Sequence, residues 1–537
     1  MFRSTSSSTD KTVSNNEDNV AVLGAMQEQI AQLQQSNVQL AQTNTQLQHQ
    51  LDWFKRQLFG SKSEKRFIDN PNQLSLGEDF AVAPAVDQRE KQKISYERGK
   101  GPKVRADDCV TDSGLRFDST VPMKTIRLPV LETHGLSEDQ YELLDVKKTY
   151  RLAQRPASYV VLCYEQPVVK IKQSEQIATA IMTMNVLEKS VADVSLLVGL
   201  LVDKFAYHLP LYRQHQRLSA AGITLSRTTL TNLVRRAIAL LEPIVDAQRM
   251  SVLQSRVLAM DETPGKAGKS KTKRGRMHTG YYWPIYGDRH EVVFTYSESR
   301  ARRVIEQILN EQFSGTLLSD GYSAYASYVA RTSDVVHAQC WAHTRRQFFD
   351  AQASEPVLVE QMLEKIGLLY ALESQAKEQQ LSGDAKRDYR LEHSKPVVDD
   401  IVEWIQEQQQ RTALLPQDPF TKAVNYLGNR IVELRVFLDE PDVALDTNHV
   451  ERALRVIPMG RKNWLFSWTE LGAEHVGIIQ SLISTCKLHN VDPYVYLTDV
   501  LQRVAIHPNK DIAQLTPRLW KEHFAADPMR SDLMLDI

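Results

Sequence analysis

The feature that most constrains this fold is the alternation of short apolar segments with amphipathic segments between residues 257 and 353. Short apolar runs bounded by polar or turn residues are typical of strands, and longer runs with a period near 3.6 are typical of helices. The predicted order is three strands, a helix, two strands and a helix, over 257–260, 280–287, 291–297, 301–312, 315–320, 335–343 and 344–353. This mixed order indicates an α/β domain.

The order of elements matches the RNase H fold, in which a sheet is built first and later strands and helices are added to it. The segment that follows, LVEQMLEKIGLLYALESQAKEQQ and onward, is helical in pattern. We therefore predict a first part of the sheet domain over 251–353, a helical insertion over 354–441, and a second part with C-terminal helices over 442–537. The predicted fold class is multidomain α and α/β.

A heptad repeat near the N-terminus predicts a coiled-coil dimerisation helix over residues 20–60. Apolar residues recur at the a and d positions, and two a-position asparagines, Asn37 and Asn44, would fix the register and the number of partners. We expect a homodimer or higher oligomer through this helix. The alternative is an amphipathic helix packed on its own chain, although the narrow apolar seam favours self-association.

Residues 61–101 are polar, carry mixed charge and contain Pro71, Gly77 and Pro84, which predicts a linker. Residues 102–175 contain short β-type runs such as KTIRLPV and SYVVLCYEQPVVKIK, which predict a small β-rich module.

Residues 176–250 are helical in pattern and contain a pair of segments that resembles a helix-turn-helix, with Gly222 in the turn and Ser226 as N-cap of the second helix. The polar side chains of that helix could face a DNA groove, namely Arg227, Thr228, Thr229, Asn232, Arg235 and Arg236. Leu230, Leu233 and Val234 would pack inward. An ordinary helical hairpin with a solvated face is an equally good interpretation of the pattern.

Composition excludes several classes of protein. No run of about 18 apolar residues exists to span a bilayer. Residues 1–19 form a polar tail without the apolar core of a secretion signal, which predicts a disordered segment and a cytoplasmic protein. The formal net charge of −1 gives no overall sign of nucleic-acid binding, so such binding would have to use local basic patches.

Two aspartates directly follow predicted strands. Asp261 comes after VLAM, and Asp320 comes after GTLLS. Because successive side chains of a strand point to opposite faces, only one of Asp261 and Glu262 can face Asp320, and we choose Asp261. Carboxylates at adjacent strand ends could share Mg²⁺ or Mn²⁺, although aspartates are also common in turns after strands.

Glu451 is the candidate third carboxylate, but it has a second explanation. Asn448-His-Val-Glu451 fits a capping box, with Asn448 as N-cap and Glu451 reaching back to the backbone. Taken alone, the motif favours the cap, because such caps are widespread and each is worth on the order of 1 kcal/mol.

A basic segment, PGKAGKSKTKRGRMHTG, lies directly after Asp261 and contains no acid. A flexible loop of this kind beside a metal site would bind a phosphate backbone, although a solvated hairpin loop is the alternative. Its cations are Lys266, Lys269, Lys271, Lys273, Arg274 and Arg276.

The four cysteines are too scattered for a disulfide framework. Cys340-Trp-Ala-His343 has the spacing of two zinc ligands, yet zinc needs four and no second pair lies nearby. We therefore expect Cys340 and Trp341 to pack in the core.

At this point the motifs identify a resemblance: the chain is similar to transposases of the insertion sequence 66 family, a group of bacterial DDE transposases. The matching segments, in order, are QLFGSKSEK, DKFAYHLPLYRQ with GITLSRTTL, LAMDETP, LLSDGYSAY, CWAHTRRQFFD, ERALRVIPMGRKNWLF and SLISTCKLHNVDPYVYLTDVL. They span most of the chain.

The resemblance implies that Asp261, Asp320 and Glu451 form a metal-binding catalytic triad in an RNase H-like domain. It implies double-stranded DNA partners, namely the element's terminal inverted repeats and target DNA, and accessory proteins of the same element. It also suggests phosphate contacts from Arg461 and Lys462, while Trp464 is expected in the core.

One departure concerns the β-rich module. Family members often carry paired cysteines before the helix-turn-helix, but Cys109 and Cys163 each lack a nearby partner. The sequence therefore gives no support for zinc there. Two other functions remain open, a DNA-binding repressor or scaffold without catalysis and an RNase H-like nuclease that cuts branched DNA.

Overall fold

The computed structural model describes residues 108–110, 115–155, 158–270, 276–309, 313–410, 417–465, 467 and 469–534. The predicted tail, coiled coil and linker therefore lie outside the described residues, and so do Lys271, Lys273 and Arg274.

The described strands are β1 (Asp108–Val110), β2 (Arg116–Asp118), β3 (Met123–Arg127), β4 (Tyr141–Arg155), β5 (Ser158–Ile171), β6 (Ile177–Thr179), β7 (Ile223–Thr224), β8 (Val257–Met260), β9 (Thr263–Lys269), β10 (Met277–Gly287), β11 (Val292–Ser297), β12 (Gly315–Ser319) and β13 (Val335–Gln339).

The described α-helices are α1 (Val194–Phe205), α2 (Leu211–Ala220), α3 (Arg227–Leu253), α4 (Arg302–Leu309), α5 (Ser323–Val329), α6 (Trp341–Asp350), α7 (Pro356–Glu378), α8 (Gly383–Tyr389), α9 (Lys395–Gln409), α10 (Pro419–Gly428), α11 (Ile431–Asp439), α12 (Asn448–Leu454), α13 (Val456–Trp464), α14 (Glu470–Leu488), α15 (Pro493–Arg503) and α16 (Pro517–His523). None of them combines the length and apolar character that a membrane span requires.

The central sheet has the strand order β11-β10-β8-β12-β13, with β9 paired to β10. Strands β8, β12 and β13 are parallel to one another, whereas β10 runs antiparallel to β8 and β11. The fold is thus mixed helix and sheet, as predicted. The predicted strand 335–343 is too long, because β13 ends at Gln339 and α6 begins at Trp341.

The basic segment after Asp261 begins as a strand, which corrects the prediction of a loop. Strands β8 and β9 pair with the same side of β10 in one continuous register, from Met260↔Ile285 to Thr263↔Tyr282. The pairing opens at Asp261 and Glu262, where continuing the register places Pro284 opposite Asp261. Since proline has no N–H to donate, this opening follows from the sequence.

The module before the helices is built on the long hairpin of β4 and β5, and both β3 and β6 pair with β5 along its edge away from β4. It has its own small core, which includes Leu162, Tyr164 and Val169. The C-terminal tail closes this core, since Leu533 is buried in it and the Tyr164 hydroxyl donates to Asp532 at 2.8 Å.

Helix α3 is 27 residues long and begins as predicted. The Ser226 hydroxyl caps it by accepting the Thr229 N–H at 3.0 Å. Gly222 has a φ of +79°, and a Cβ there would collide with the carboxylate of Asp118. The predicted boundary between residues 250 and 251 falls inside this helix.

The far end of α3 is attached to the sheet domain. The buried Gln248 amide donates to the Val292 carbonyl at 2.9 Å and to the Thr485 hydroxyl at 2.9 Å. Strand β11 and helix α14 therefore hold the end of the helix whose beginning carries the candidate DNA-facing residues.

The segment between α6 and α12 is largely helical where it is described, and Arg390 joins distant parts of it. The Arg390 guanidinium is fully buried and pairs with Glu373 at 2.6 and 2.8 Å. It also donates to the carbonyls of Phe437 at 2.6 Å, Glu440 at 3.1 Å and Val443 at 3.1 Å.

Arg390→Met should lower the free energy of unfolding by about 3–5 kcal/mol, because it leaves buried carbonyls without this donor and leaves Glu373 with only the longer ion pair to Lys386 at 3.7 Å. Urea unfolding would measure the loss. Arg387→Met is the matched control, since Arg387 makes only surface ion pairs, and a loss no larger than that of the control would contradict the role of Arg390.

Candidate catalytic site

Asp261 and Asp320 lie at the same edge of the central sheet. Strands β8 and β12 are parallel, with Ala259 paired to Leu318. Each aspartate lies two residues beyond its member of this pair, so the register places them side by side, with adjacent strands about 4.8 Å apart. Parallel pairing thus brings together two carboxylates that are 59 residues apart in sequence.

The Asp261 carboxyl is in an unfavourable place for a negative charge. Burial raises its pKa to about 7, and the charges of Glu262 and Asp320 act in the same direction. The N–H of Glu262 donates to its Oδ1 at 2.7 Å, which partly opposes the shift.

Glu262 is held by other groups. Its side chain is 1% exposed, forms an ion pair with Arg300 and accepts the Tyr325 hydroxyl at 2.7 Å. These partners hold Glu262 against helix α5 and the segment before α4. Asp320 accepts the N–H of Tyr322 at 2.9 Å, which shapes the turn after β12.

The capping explanation for Glu451 is wrong. Helix α12 has Thr447 as its N-cap residue and no side-chain cap, and the Asn448 N–H donates to Asp446 at 3.0 Å. The carboxylate of Glu451 is 41% exposed, with Oε1 3.8 Å from Nε2 of His343. Its side chain is therefore available for another role.

His343 is the site residue that the sequence reasoning missed. It lies in the first turn of α6, directly after β13. Contact with Cys340 and the charges of Asp320 and Glu451 raise its pKa to about 9, against the effect of burial. The charge of the same imidazole acts to lower the pKa of Asp261, against the effect of burial. The signal in the sequence was the pair Cys340 and His343 at the end of the predicted strand 335–343.

Cys340 and Trp341 are 2% and 1% exposed, which confirms the expected core packing. Within the described part of the chain, no three His, Cys, Asp or Glu side chains are grouped closely enough to hold a metal ion. Asp261, Asp320 and Glu451 are therefore not grouped around one point in this structure. The Glu451 carboxylate lies 3.8 Å from His343 instead.

The donor chemistry nevertheless fits a divalent cation. Asp261 and Asp320 offer oxygen ligands of the kind that Mg²⁺ and Mn²⁺ prefer. Burial, and to a smaller extent the charges of Glu262 and Asp320, disfavour the ionised form of Asp261, and a cation between the two aspartates would offset both effects.

The candidate DNA-facing residues of α3 share its exposed face. Leu230, Leu233 and Val234 are buried beneath them, as predicted. The exposed residues are Arg227, Thr228, Asn232, Arg235 and Arg236. The structure thus places all five where DNA could reach them.

Most of the described basic residues near Asp261 are exposed, and one of them bonds to the backbone of β9. Lys266, Lys269 and Arg276 are exposed, with both lysines on β9. Arg461 donates to the carbonyl of Pro264 on β9, whereas Lys462 is exposed. Trp464 is partly buried against the core, in agreement with its predicted packing.

Comparison with known protein families gives three matches along the chain. The family model described as "Transposase IS66 family" matches residues 189–475, which is more than half of the chain. The model "IS66 C-terminal element" matches residues 481–518, and "Transposase C of IS166 homeodomain" matches residues 46–107. The last range lies outside the described residues.

Three proteins of Sinorhizobium fredii, each named as uncharacterized, are similar in sequence. The protein y4hP is 31% identical over 361 residues, which is 62% of this chain and 63% of y4hP, so that match spans less than two thirds of the relative. The protein y4jD is 27% identical over 87% of this chain and 93% of its own length, and y4qI is 27% identical over 72% of each.

Asp261→Asn should stabilise the metal-free protein at pH 8. Because the pKa of Asp261 is raised from 3.8 to about 7, the wild type loses stability as the pH rises through this range, and the amide does not. We expect the Tm to rise by roughly 2 °C or more at pH 8 and to change little near pH 4. Thermal unfolding at both pH values, with the exposed Asp334→Asn as control, would measure this. An equal change at both pH values would contradict it.

Proposed function

The chain belongs to the IS66 transposase family, and on that premise we propose that it is a metal-dependent DNA transposase of the DDE type. The observation that carries the proposal is the placement of Asp261 and Asp320 at neighbouring strand ends. The Glu451 carboxylate lies 3.8 Å from His343, whose charge acts on Asp261. Asp261, Asp320 and Glu451 are the proposed catalytic and metal-binding residues.

An RNase H-like catalytic domain is part of the proposal. The order β11-β10-β8-β12-β13 supports it. Strand β8 lies in the middle, β10 and β11 continue the sheet on one side in antiparallel pairs, and β12 and β13 continue it on the other side in parallel pairs. Helices α7 to α11 would then form the insertion that separates Glu451 from the two aspartates in sequence.

The three carboxylates would hold Mg²⁺ or Mn²⁺. When bound, a pair of such ions supplies activation of an attacking hydroxyl and stabilisation of the leaving oxygen of a phosphodiester. Glu451 would complete the donor set by a rotamer change away from His343, for which its exposure leaves room. His343 then remains beside the three carboxylates as a cationic group.

The proposed reaction has two steps. A water oxygen attacks the phosphorus at the end of the element, and the bond from phosphorus to the 3′ oxygen breaks to free a 3′-OH. That hydroxyl then attacks a phosphodiester of target DNA, forming a new P–O bond while the target strand's own 3′ oxygen leaves. The protein forms no covalent bond in either step.

The DNA partners would meet two surfaces. The exposed face of α3 would contact the terminal inverted repeats, and Lys266, Lys269, Arg276 and Lys462 would contact phosphates near the site, together with the remaining cations of the basic segment. Dimerisation through residues 20–60 and accessory proteins of the same element remain part of the proposal.

Cleavage and joining of DNA that carries the inverted repeats flanking the protein's own gene would test the chemistry. Asp261→Ala, Asp320→Ala and Glu451→Ala should each lose about 10³-fold or more in cleavage rate with Mg²⁺, because each removes part of the charge stabilisation. Asp334→Ala, which removes an exposed aspartate, should behave as wild type.

The other two functions have their own outcomes in this assay. Tight end binding without cleavage under any metal would indicate a repressor or scaffold. Faster cleavage of branched DNA than of repeat ends would indicate a nuclease. Wild-type activity in all three alanine variants would contradict the assigned site.

Arg235→Ala should weaken binding to repeat DNA and lower the slope of log affinity against log salt by about 0.9, the value for one lost phosphate contact. Binding would be measured in Ca²⁺ over a series of salt concentrations. Arg331→Ala, which removes an exposed arginine at the end of α5, is the control and should leave the slope unchanged. An unchanged slope for Arg235→Ala would mean that Arg235 is only solvated.

A further inference from the structure

The segment Cys340–His343 is the place where the chain docks after it returns from the helical region. The Trp341 N–H donates to the Leu445 carbonyl at 3.1 Å, and the Trp341 indole N–H donates to the Leu434 carbonyl at 3.0 Å. Both bonds are buried. The returning chain is thus fixed immediately before α12 begins.

Cys340 fixes the first residue of that helix. Its sulfur accepts both the N–H and the hydroxyl of Thr447, each at 3.3 Å. Cys340 is 2% exposed and Thr447 is 1% exposed, so water does not compete for these bonds. The Thr447 carbonyl in turn accepts the N–H of Glu451 at 3.0 Å, which links the thiol to the backbone of Glu451 through one residue.

Helix α12 needs such an anchor. It has seven residues and no side-chain cap from its N-cap residue, and only Arg455 separates it from α13. The chain between Cys340 and Thr447 is about a hundred residues long, so its closure is opposed by chain entropy. The position of α12, and with it the reach of Glu451, therefore depends on tertiary bonds such as those to Cys340.

We propose that Cys340 is a positioning residue for Glu451, acting through the N-cap residue Thr447. The inference rests on the proposed function, because it assumes that Glu451 is a metal ligand. In this role Cys340 would touch neither metal nor DNA, and its side-chain contacts are with Thr447 and His343. The thiol fixes the position at which α12 starts. Glu451 lies one turn further along that helix, so the start of the helix determines where its carboxylate can reach.

The full-length protein would be tested with Mn²⁺ as probe, by calorimetric titration without DNA. Cys340→Ala should weaken Mn²⁺ binding by about tenfold or more, the usual cost of losing a group that orients a metal ligand. Thr447→Val, which removes the hydroxyl but keeps the N–H, should weaken it less. The double variant should lose less than the two single losses combined, because both act through one contact.

A general packing defect is separated from positioning by Cys486→Ala. Cys486 is also a fully buried thiol, but it lies in α14. This control should lower the Tm by a similar amount and leave Mn²⁺ affinity unchanged. Hydrogen exchange without metal gives a second readout, since the amide of Thr447 should exchange faster in Cys340→Ala and not in the control.

Glu451→Gln distinguishes the two levels of the proposal. If it leaves Mn²⁺ affinity unchanged, Glu451 is not a ligand and the proposed function fails. If Glu451→Gln weakens Mn²⁺ binding but Cys340→Ala does no more than Cys486→Ala, the positioning role of Cys340 is wrong and the proposed function stands.

Discussion

The parallel pairing of β8 with β12 is the constraint on which the rest of the structure depends. It joins two segments that three antiparallel strands and a helix separate in sequence, and it aligns their carboxyl ends. The pairing puts Asp261 beside Asp320. Strands β10 and β13 flank this pair on either side, and α6, which follows β13, carries His343.

The alignment has an electrostatic cost, and the neighbouring groups show how it is distributed. Burial raises the pKa of both Asp261 and Glu262, and for Glu262 the bonds to Tyr325 and Arg300 oppose the shift. His343 supplies positive charge at the same edge. Asp261 and Asp320 each accept a backbone N–H, and neither has an ion pair among the described residues comparable to that of Glu262 with Arg300.

The candidate DNA-facing surface is mechanically continuous with this edge. A helix of 27 residues spans about 40 Å at 1.5 Å per residue, and its second half is bonded to β11 and α14 through Gln248. One connected apolar core runs from Leu115 to Trp520. The start of α3 and the strand before Asp261 therefore pack into the same connected core.

The sequence by itself determined the strands that carry Asp261 and Asp320, the start and buried face of α3, and the core packing of Cys340 and Trp341, because these follow from local periodicity and capping chemistry. It also determined the family. Local patterns could not show that the capping box at Glu451 is absent, that part of the basic segment pairs as β9, or that His343 lies beside Glu451. Those outcomes depend on contacts between residues far apart in sequence: His343 with Glu451, β9 with β10, and Cys340 with Thr447. Only the tertiary structure decided them, since a capping box and a free carboxylate have the same local sequence and differ only in what the folded chain places nearby.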